Sequence, residues 1–464
     1  MKGYFLMPHP PIIIPEVGKG RENDVIDTIN ACKKLGSDIE SLEGETIIIV
    51  SPHGVVFRDA IALIKSNCIY GDLGSFGASD VKFNYEIDLE LTDKIIDLSL
   101  KESVPVIGLD EGTALRYNID LSLDHGAMVP LYYVDKKRKC KLVHITYGLL
   151  SPIELLKFGT VVKEAVNELG KNAVFIASGD LSHRLTKDGP YKYNSLGKRF
   201  DNELVNILYK GEIKEIFNLD REMVREAGEC GLRSLYILSG ALNSSKIKGN
   251  KLSYEGPLGV GYAVFNFEEE SGNLYEEIIS EREKKHKEKM KEGNIYTILA
   301  RKNLDLYFNE GKLLTSDDLE DKRLKDEKKG VFVSLKINGE LRGCIGTISP
   351  TTDSVGEEII KNSLSAALND PRFPPLTKDE LMDVDISVDL LYPSESTDFE
   401  GLDPENYGVI VTSGIKRGLL LPNLEGVNTK EQQVEIAMDK ASIEPGENYS
   451  LERFKVERFS EIEG

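Results

Sequence analysis

Cysteine is scarce in this chain and is never paired. Five cysteines are spread over 464 residues, and no two of them form a Cys-x-x-Cys motif. An odd number of scattered cysteines excludes a zinc knuckle and a redox couple of the Cys-x-x-Cys type. We therefore expect reduced thiols and no disulfide framework.

Long apolar runs are also missing. One of the longest, within residues 3–15, is interrupted by proline and histidine and is shorter than the ~20 residues that span a bilayer. It also lacks the unbroken apolar block and small-residue cleavage site of a signal peptide. These absences predict a cytoplasmic protein with no membrane partner.

Positive charge is in deficit, with 58 lysines and arginines against 78 aspartates and glutamates and a formal net charge of -20. Such a chain repels a phosphate backbone, and no long basic stripe offsets the repulsion, so we expect no nucleic-acid partner. The one lysine-dense segment, residues 281–292, alternates lysine with glutamate at helical spacing. This pattern predicts a solvated helix.

The length favours two domains, because 464 residues are too many for one ordinary core. We predict a first domain at 1–268, a charged and partly helical linker at 269–292, and a second domain at 293–464. In the first, short β-rich runs alternate with amphipathic stretches, which predicts an α/β domain with a mixed or mainly parallel sheet flanked by helices. Strands are predicted at 46–50, 104–108, 128–134, 141–147, 173–177 and 259–267, and helices at 89–100, 153–169, 195–209 and 232–242.

The second domain has a different pattern. Residues 331–337 and 341–348 flank Asn338-Gly339, which is a strong hairpin signal. The remaining periodicity predicts a smaller α+β domain with largely antiparallel strands. Helices are predicted at 294–308, 355–368 and 431–440, and strands at 384–391, 408–411, 418–421 and 454–459.

Five of the six histidines lie in the first 183 residues, and four of these end an apolar run at a turn. The four are His9, His53, His125 and His183. The carboxyl ends of the strands of an open α/β sheet face one crevice, so these side chains can converge although they are distant in sequence. Convergent neutral imidazoles suggest a metal site. The two others, His144 and His286, are predicted to be structural or solvent-facing.

The residue types of a known metal site narrow the set of candidate ligands. Two imidazoles and one carboxylate on one face of an Fe(II) ion leave open positions for O2 and a substrate, as in non-heme oxygenases. His9 and His53 are our candidates for the two imidazoles. For the third ligand the candidates are Glu229 and Cys230, just before the predicted helix at 232–242, with Glu255 as a more remote choice. Glutamate favours Fe(II), and cysteine favours a softer metal such as copper or zinc; the sequence leaves the choice open.

The other two histidines suit proton transfer. An imidazole with a pKa near 6.5 can take or return a proton beside a metal-bound phenol, which predicts His183 and His125 as catalytic residues. Asp180 and Asp124 either orient them or are ordinary turn residues. For any one histidine a hydrogen-bonded turn or core position is an equal alternative, but the set of four favours function.

Four blocks in this order resemble the class III extradiol dioxygenase B-subunit (LigB-like) superfamily, which includes the Memo-like proteins; the blocks are 8–11, 51–54, 123–131 and 179–183. The resemblance covers residues 1–268. It implies that His9 and His53 bind the metal, that His183 is the catalytic base, and that His125 helps to bind substrate or oxygen. Extradiol enzymes use a glutamate as the third ligand, whereas the Cys230-Gly231 pair here resembles that of Memo-like proteins.

Residues 293–464 resemble an AMMECR-type domain, most specifically at Gly339–Thr347. That family implies a fold and a recurrent genomic association with Memo-like and radical-SAM proteins, but no reaction. Cys344, between two glycines, is either a small buried apolar side chain or a thiol activated by Arg342 on the same strand face. A further hypothesis places catalysis on Arg342, Cys344 and Asp370.

The first domain has two candidate functions. The first is an Fe(II)-dependent oxygenase of extradiol type that uses O2 on a catechol-like or other vicinal chelating small molecule, with the AMMECR-type domain as an accessory. The second is a Memo-like metal-binding or scaffold protein without ring cleavage, which works with a radical-SAM enzyme or another protein partner.

Overall fold

The chain divides into two compact units, Met1–Ile279 and Ser280–Gly464. The computed structural model describes residues 1–137, 139–424 and 426–461. The predicted fold class is confirmed, because a large mixed and mostly parallel sheet flanked by helices is followed by smaller antiparallel sheets.

The first unit is built on an eight-stranded sheet with the strand order β6-β3-β7-β2-β8-β1-β10-β9. The central strands β7, β2, β8 and β1 are parallel, and β10 and β9 add an antiparallel edge. A separate hairpin is formed by β4 and β5. The strands are β1 (Gly3–Met7), β2 (Thr46–Ser51), β3 (Ile61–Ile64), β4 (Cys68–Leu73), β5 (Ala78–Glu86), β6 (Val106–Leu109), β7 (Lys141–Thr146), β8 (Ala173–Ser178), β9 (Lys246–Glu255) and β10 (Tyr262–Ser271).

Helices cover both faces of this sheet. They are α1 (Pro15–Gly18), α2 (Ile26–Ser41), α3 (Leu89–Lys101), α4 (Glu111–Tyr117), α5 (His125–Val134), α6 (Pro152–Glu168), α7 (Ser195–Lys210), α8 (Arg221–Ala227), α9 (Leu232–Leu242) and α10 (Leu274–Glu292), and short 3-10 turns lie at Pro11–Ile13, Arg21–Val25, Gly74–Phe76 and Ile213–Asn218. The helix α10 begins in the first unit and ends in the second.

Side chains alternate between two apolar cores along each central strand. Ile48 and Val50 face a core that contains α3, α6, α7 and α9, whereas Ile47 and Ile49 face one that contains α2 and α5. Burial on both faces explains why these strands are apolar throughout. The parallel strands β1, β2 and β8 are neighbours, so their carboxyl ends meet at one edge of the sheet.

The prediction of a strand at 128–134 is wrong. This segment is the helix His125–Val134, which begins where the Asp124 side chain accepts a hydrogen bond from the amide of Ala127 at 3.2 Å. Nearly every residue of the helix is buried, so its sequence shows neither helical nor strand periodicity. A short apolar run of this kind does not distinguish a buried helix from a buried strand.

Smaller differences concern element boundaries. The strand predicted at 104–108 is Val106–Leu109, and the one predicted at 259–267 is Tyr262–Ser271. The single strand predicted at 454–459 is two strands, Ser450–Phe454 and Val456–Ser460. Element ends are the least well-defined feature of a sequence pattern.

The second unit contains two four-stranded antiparallel sheets, ordered β12-β11-β13-β18 and β14-β17-β15-β16. The hairpin predicted around Asn338-Gly339 is confirmed, since β11 pairs with β12. The elements are α11 (Ile295–Glu310), α12 (Lys322–Asp326), β11 (Gly330–Ile337), β12 (Glu340–Gly346), α13 (Val355–Leu368), α14 (Lys378–Leu381), β13 (Val384–Leu391), β14 (Glu395–Thr397), β15 (Gly408–Ser413), β16 (Lys416–Leu420), α15 (Lys430–Lys440), β17 (Ser450–Phe454) and β18 (Val456–Ser460), with a 3-10 turn at Ser316–Asp318. Within the described parts of the chain, no helix has the length and apolar character needed to cross a membrane.

Candidate metal centre

His9 follows β1 in a Pro8-His9-Pro10 turn and is 2% exposed. Two contacts fix its position. Its amide donates to Oδ1 of Asp180 at 2.9 Å, and its ring Nδ1 lies 2.9 Å from Oγ of Ser178. The other ring nitrogen, Nε2, is therefore the one directed toward the neighbouring histidines.

His53 lies just beyond the end of β2, and its Nε2 is 2.9 Å from Nε2 of His9. The turn needs the glycine that follows it. A Cβ atom on Gly54 would lie 2.1 Å from Oγ1 of Thr146, so a larger residue would displace the chain from β7. The glycine thus allows the His53 turn to pack closely on the sheet.

His125 is the first residue of α5, and its ring stacks on His53 with centroids 4.2 Å apart and planes inclined by 22°. Its ring centroid is 5.6 Å from that of His9. One ligand nitrogen from each of His9, His53 and His125 can be chosen so that all three lie within 4.8 Å of one another. His125, predicted from sequence as a catalytic residue, thus belongs to the same cluster as the two predicted metal ligands.

These imidazoles are neutral near pH 7. Burial lowers the pKa of His9 well below its usual range, and the neighbouring His53 lowers it further. Burial also lowers the pKa of His53, and burial together with His53 and His9 lowers that of His125 to about 4. A neutral imidazole keeps the lone pair that a metal ion needs.

Cys230 approaches this cluster from the loop before α9. Its Sγ is 3.6 Å from Nε2 of His9 and 3.8 Å from Nε2 of His183, and it accepts a hydrogen bond from the Asp180 amide at 3.3 Å. Burial, with the nearby Asp180 charge, raises the pKa of the thiol. The thiol is therefore protonated until a cation replaces the proton, as happens when cysteine binds a metal.

The two candidate carboxylates are directed elsewhere. Oε2 of Glu229 accepts a hydrogen bond from the amide of Leu232 at 2.6 Å, at the start of α9, and burial raises its pKa. Oε1 of Glu255, on β9, accepts from both the amide and the hydroxyl of Thr28 at 2.6 Å. Neither carboxylate is in the cluster that His9, His53 and His125 form.

His183 lies in the loop after β8, where its amide donates to the carbonyl of Ala227 at 3.1 Å. Its ring stacks on Tyr191 with centroids 5.1 Å apart. Burial lowers its pKa, so the ring is neutral and able to accept a proton near pH 7. The four histidines singled out in the sequence therefore converge at one end of the sheet, with His183 reaching the others through Cys230.

Residues 3–265 match the family described as the catalytic LigB subunit of aromatic ring-opening dioxygenase. The chain belongs to the LigB family. Residues 297–462 match the AMMECR1 family, so the chain combines a LigB domain with an AMMECR1 domain.

Relatives share this organisation or part of it. A Clostridium acetobutylicum protein is 49% identical over 465 residues, which cover 99% of each chain. A Thermotoga maritima protein is 45% identical over 167 residues, covering 35% of this chain and 96% of its own.

Two solved structures are also similar to the chain. An uncharacterized protein from Pyrococcus horikoshii is 30% identical and covers 36% of this chain and 90% of its own, with a TM-score of 0.34. An uncharacterized protein from Escherichia coli K12 is 15% identical and covers 57% of this chain and 99% of its own, with a TM-score of 0.41.

Two acidic residues, Asp124 and Asp180, contact histidines of the LigB domain. Oδ2 of Asp124 lies 2.8 Å from Nε2 of His144, and its Oδ1 accepts from the hydroxyl of Ser51. Burial opposes ionisation of Asp124, but the bonds to His144 and Ser51 keep its pKa low. Burial raises the pKa of Asp180 to about 6. Asp124 thus orients His144, which is buried on β7, and Asp180 contacts His9.

Sequence reasoning missed three neighbours of the LigB-domain histidines. Ser178 contacts His9, Tyr191 stacks on His183, and the Phe76 ring centroid lies 5.3 Å from that of His125. Only Ser178 carried a signal, since it is the last residue of the apolar run before the His183 loop. Phe76 and Tyr191 come from loops whose approach depends on the tertiary fold.

The predicted site residues of the AMMECR1 domain have structural partners. Arg342 makes a two-pronged ion pair with Glu380, at 2.8 and 2.9 Å. Asp370 accepts from the Cys344 amide at 2.8 Å and pairs with Arg372. Burial raises the pKa of Cys344, so its thiol is protonated near pH 7. The guanidinium of Arg342 is thus paired with the Glu380 carboxylate.

Proposed function

We propose that the LigB domain is a metal-dependent oxidoreductase of extradiol type. His9 and His53 would bind the metal ion, His125 would complete the set, and His183 would transfer protons. The substrate would be a catechol-like or other vicinal chelating small molecule, and O2 the co-substrate. The observation that carries the proposal is the cluster of three neutral imidazoles beside a fourth that stacks on a tyrosine.

The donor atoms fit a divalent ion. The two Nε2 atoms of His9 and His53 are 2.9 Å apart, so both could be directed at one ion. A set of imidazoles that leaves positions open for substrate and O2 suits Fe(II), which is the ion we favour. When bound, Fe(II) would supply the redox chemistry that lets O2 react with the diol.

The protein side chains would prepare the substrate. His183 is neutral near pH 7, and its ring position is fixed by Tyr191 on one side and by the Ala227 carbonyl that accepts from its amide. It would accept a proton from a substrate hydroxyl and return it later. The aromatic rings of Phe76 and Tyr191 flank the cluster and would pack against a planar substrate and exclude water.

The test is metal content and O2 uptake with a panel of catechols, measured on the full chain purified without oxygen. We expect stoichiometric iron and catechol-dependent uptake in the wild type. His183→Ala should abolish uptake and retain the iron, His9→Ala should lose both, and Glu229→Ala should retain both. His286→Ala, on α10 and outside the residues that match the LigB family, is the matched histidine control and should retain both. Iron-loaded protein that takes up no O2 with any of the catechols would refute the proposed oxygenase activity.

The position of Cys230 favours a second candidate, a Memo-like metal-binding or scaffold protein without ring cleavage that works with a radical-SAM enzyme or another partner. Its Sγ is 3.6 Å from Nε2 of His9, within the span of two ligands of one ion. A thiolate ligand suits copper or zinc better than Fe(II). This candidate predicts that Cys230→Ala loses the metal and that His125→Ala retains it, whereas the oxygenase predicts the reverse.

A further inference from the structure

A proline in α5 leaves one helix carbonyl without its usual partner. Pro130 lies inside the helix His125–Val134 and has no amide hydrogen, so it gives no bond to the carbonyl of Gly126 four residues earlier. That carbonyl is buried, and the hydroxyl of Ser178 donates a hydrogen bond to it. Ser178 is the last residue of β8 and is fully buried, so the bond joins the strand end to the helix that carries His125.

This bond determines whether the Ser178 hydroxyl donates or accepts a hydrogen bond at His9. A serine hydroxyl has one hydrogen to donate and two lone pairs to accept with. Because a carbonyl only accepts, the hydrogen of Ser178 is used at Gly126. At Nδ1 of His9, 2.9 Å away, Ser178 therefore accepts, and Nδ1 carries the hydrogen. A neutral imidazole with a hydrogen on Nδ1 has none on Nε2.

We propose that Ser178, oriented by the carbonyl that Pro130 leaves free, is a positioning residue that keeps His9 in the Nδ1-H tautomer. The lone pair of Nε2 is then directed at the cluster before any metal arrives. This inference rests on the proposed metal site, and it adds residues that select the ligand atom without touching the metal. A hydrogen bond to the distal ring nitrogen of a metal-binding histidine is a general way to fix the ligand tautomer.

The same reasoning assigns the tautomer of His53 in the metal-free chain. Since Nε2 of His9 has no hydrogen and lies 2.9 Å from Nε2 of His53, the hydrogen between them belongs to His53. Of these two histidines, only His53 would have to change tautomer to bind a metal ion through Nε2. The metal-free chain therefore has different tautomers at the two histidines, and this difference can be observed without any metal or substrate.

The experiment is nitrogen NMR of the full chain labelled with 15N in its histidine rings, because protonated and bare ring nitrogens have well-separated shifts. In the metal-free wild type we expect the hydrogen on Nδ1 of His9. Pro130→Ala restores an amide that competes with Ser178 for the Gly126 carbonyl. The Ser178 hydrogen is then held less firmly and can turn to Nδ1, so His9 should shift toward the Nε2-H tautomer. Ser178→Ala removes the acceptor and should leave a mixture.

Zinc affinity, measured by competition with a coloured chelator, gives a second readout. Ser178→Ala and Pro130→Ala should each weaken zinc binding by about 10- to 100-fold, the usual effect of removing such support. Ser239→Ala is the matched control, because Ser239 is equally buried and its hydroxyl donates within its own helix, to the Leu235 carbonyl. It should change neither readout.

Two results would overturn the inference. One is a metal-free wild type whose His9 carries its hydrogen on Nε2. The other is a folded Pro130→Ala variant whose His9 shifts and zinc affinity equal those of the wild type. A wild type that binds no metal would instead count against the proposed function, and the NMR result would still decide the tautomer of His9.

Discussion

Replacing Asp201 with asparagine should make the LigB domain more stable, by an amount that grows with pH. Asp201 lies on α7 and is fully buried. Its Oδ1 accepts from the amide of Ser182 at 2.8 Å, and its Oδ2 accepts from the hydroxyl of Tyr254 at 2.8 Å. Because Ser182 precedes His183, the carboxyl braces the loop that carries the proposed catalytic base.

The size of this stability change follows from the pKa of Asp201. Burial raises the pKa of Asp201 from an ordinary 3.8 to about 7, although the bonds from Ser182 and Tyr254 oppose the shift. The folded chain therefore binds this proton more tightly than the unfolded chain. The stability associated with Asp201 is complete below pH 4 and is lost as pH rises through 7. A shift of about 3 pKa units corresponds to roughly 4 kcal/mol.

Asparagine is uncharged and can still accept from the Ser182 amide, so Asp201→Asn should remove this pH dependence. The assay is urea unfolding of the full chain between about pH 4.5 and 8, followed by hydrogen exchange in the strands of the first unit. The difference in unfolding free energy between variant and wild type should rise by roughly 3 kcal/mol over this pH range. Glu203→Gln, a more exposed acid on the same helix, is the control and should show little change. A difference that does not depend on pH would refute the reasoning.

Two further predictions concern stability, one at a close backbone contact and one at a buried ion pair. Gly179→Ala places a Cβ 2.1 Å from Cα of Gly231, so the loops that carry Asp180 and Cys230 must move apart. We expect the free energy of unfolding to fall by about 1–3 kcal/mol, which would appear as a lower melting temperature. An unchanged melting temperature would contradict this prediction. Glu461→Gln removes the counter-charge of Arg301, whose ion pair with Glu461 is fully buried. We expect the AMMECR1 domain to lose about 3–5 kcal/mol in urea unfolding, and a smaller loss for Glu310→Gln, an exposed pair with Lys312.

Much of the fold follows from local patterns. The strand Ala173–Ser178, the helix Val355–Leu368 and the hairpin at Asn338-Gly339 were each predicted, because apolar periodicity and turn residues act over a few neighbouring positions. The helix His125–Val134 was not, because burial on every side removes the periodicity that distinguishes a helix from a strand.

The candidate site divides in the same way. Local sequence patterns were enough to show that histidines follow apolar runs and that two families are joined in one chain, because these properties belong to short blocks in a fixed order. The folded chain was needed to show that His125 joins His9 and His53, and that Cys230 approaches them while Glu229 bonds to the start of α9. It was also needed to show that Ser178 links His9 to α5. These contacts depend on strand order and on distances of a few ångströms between segments far apart in sequence, which no local pattern contains.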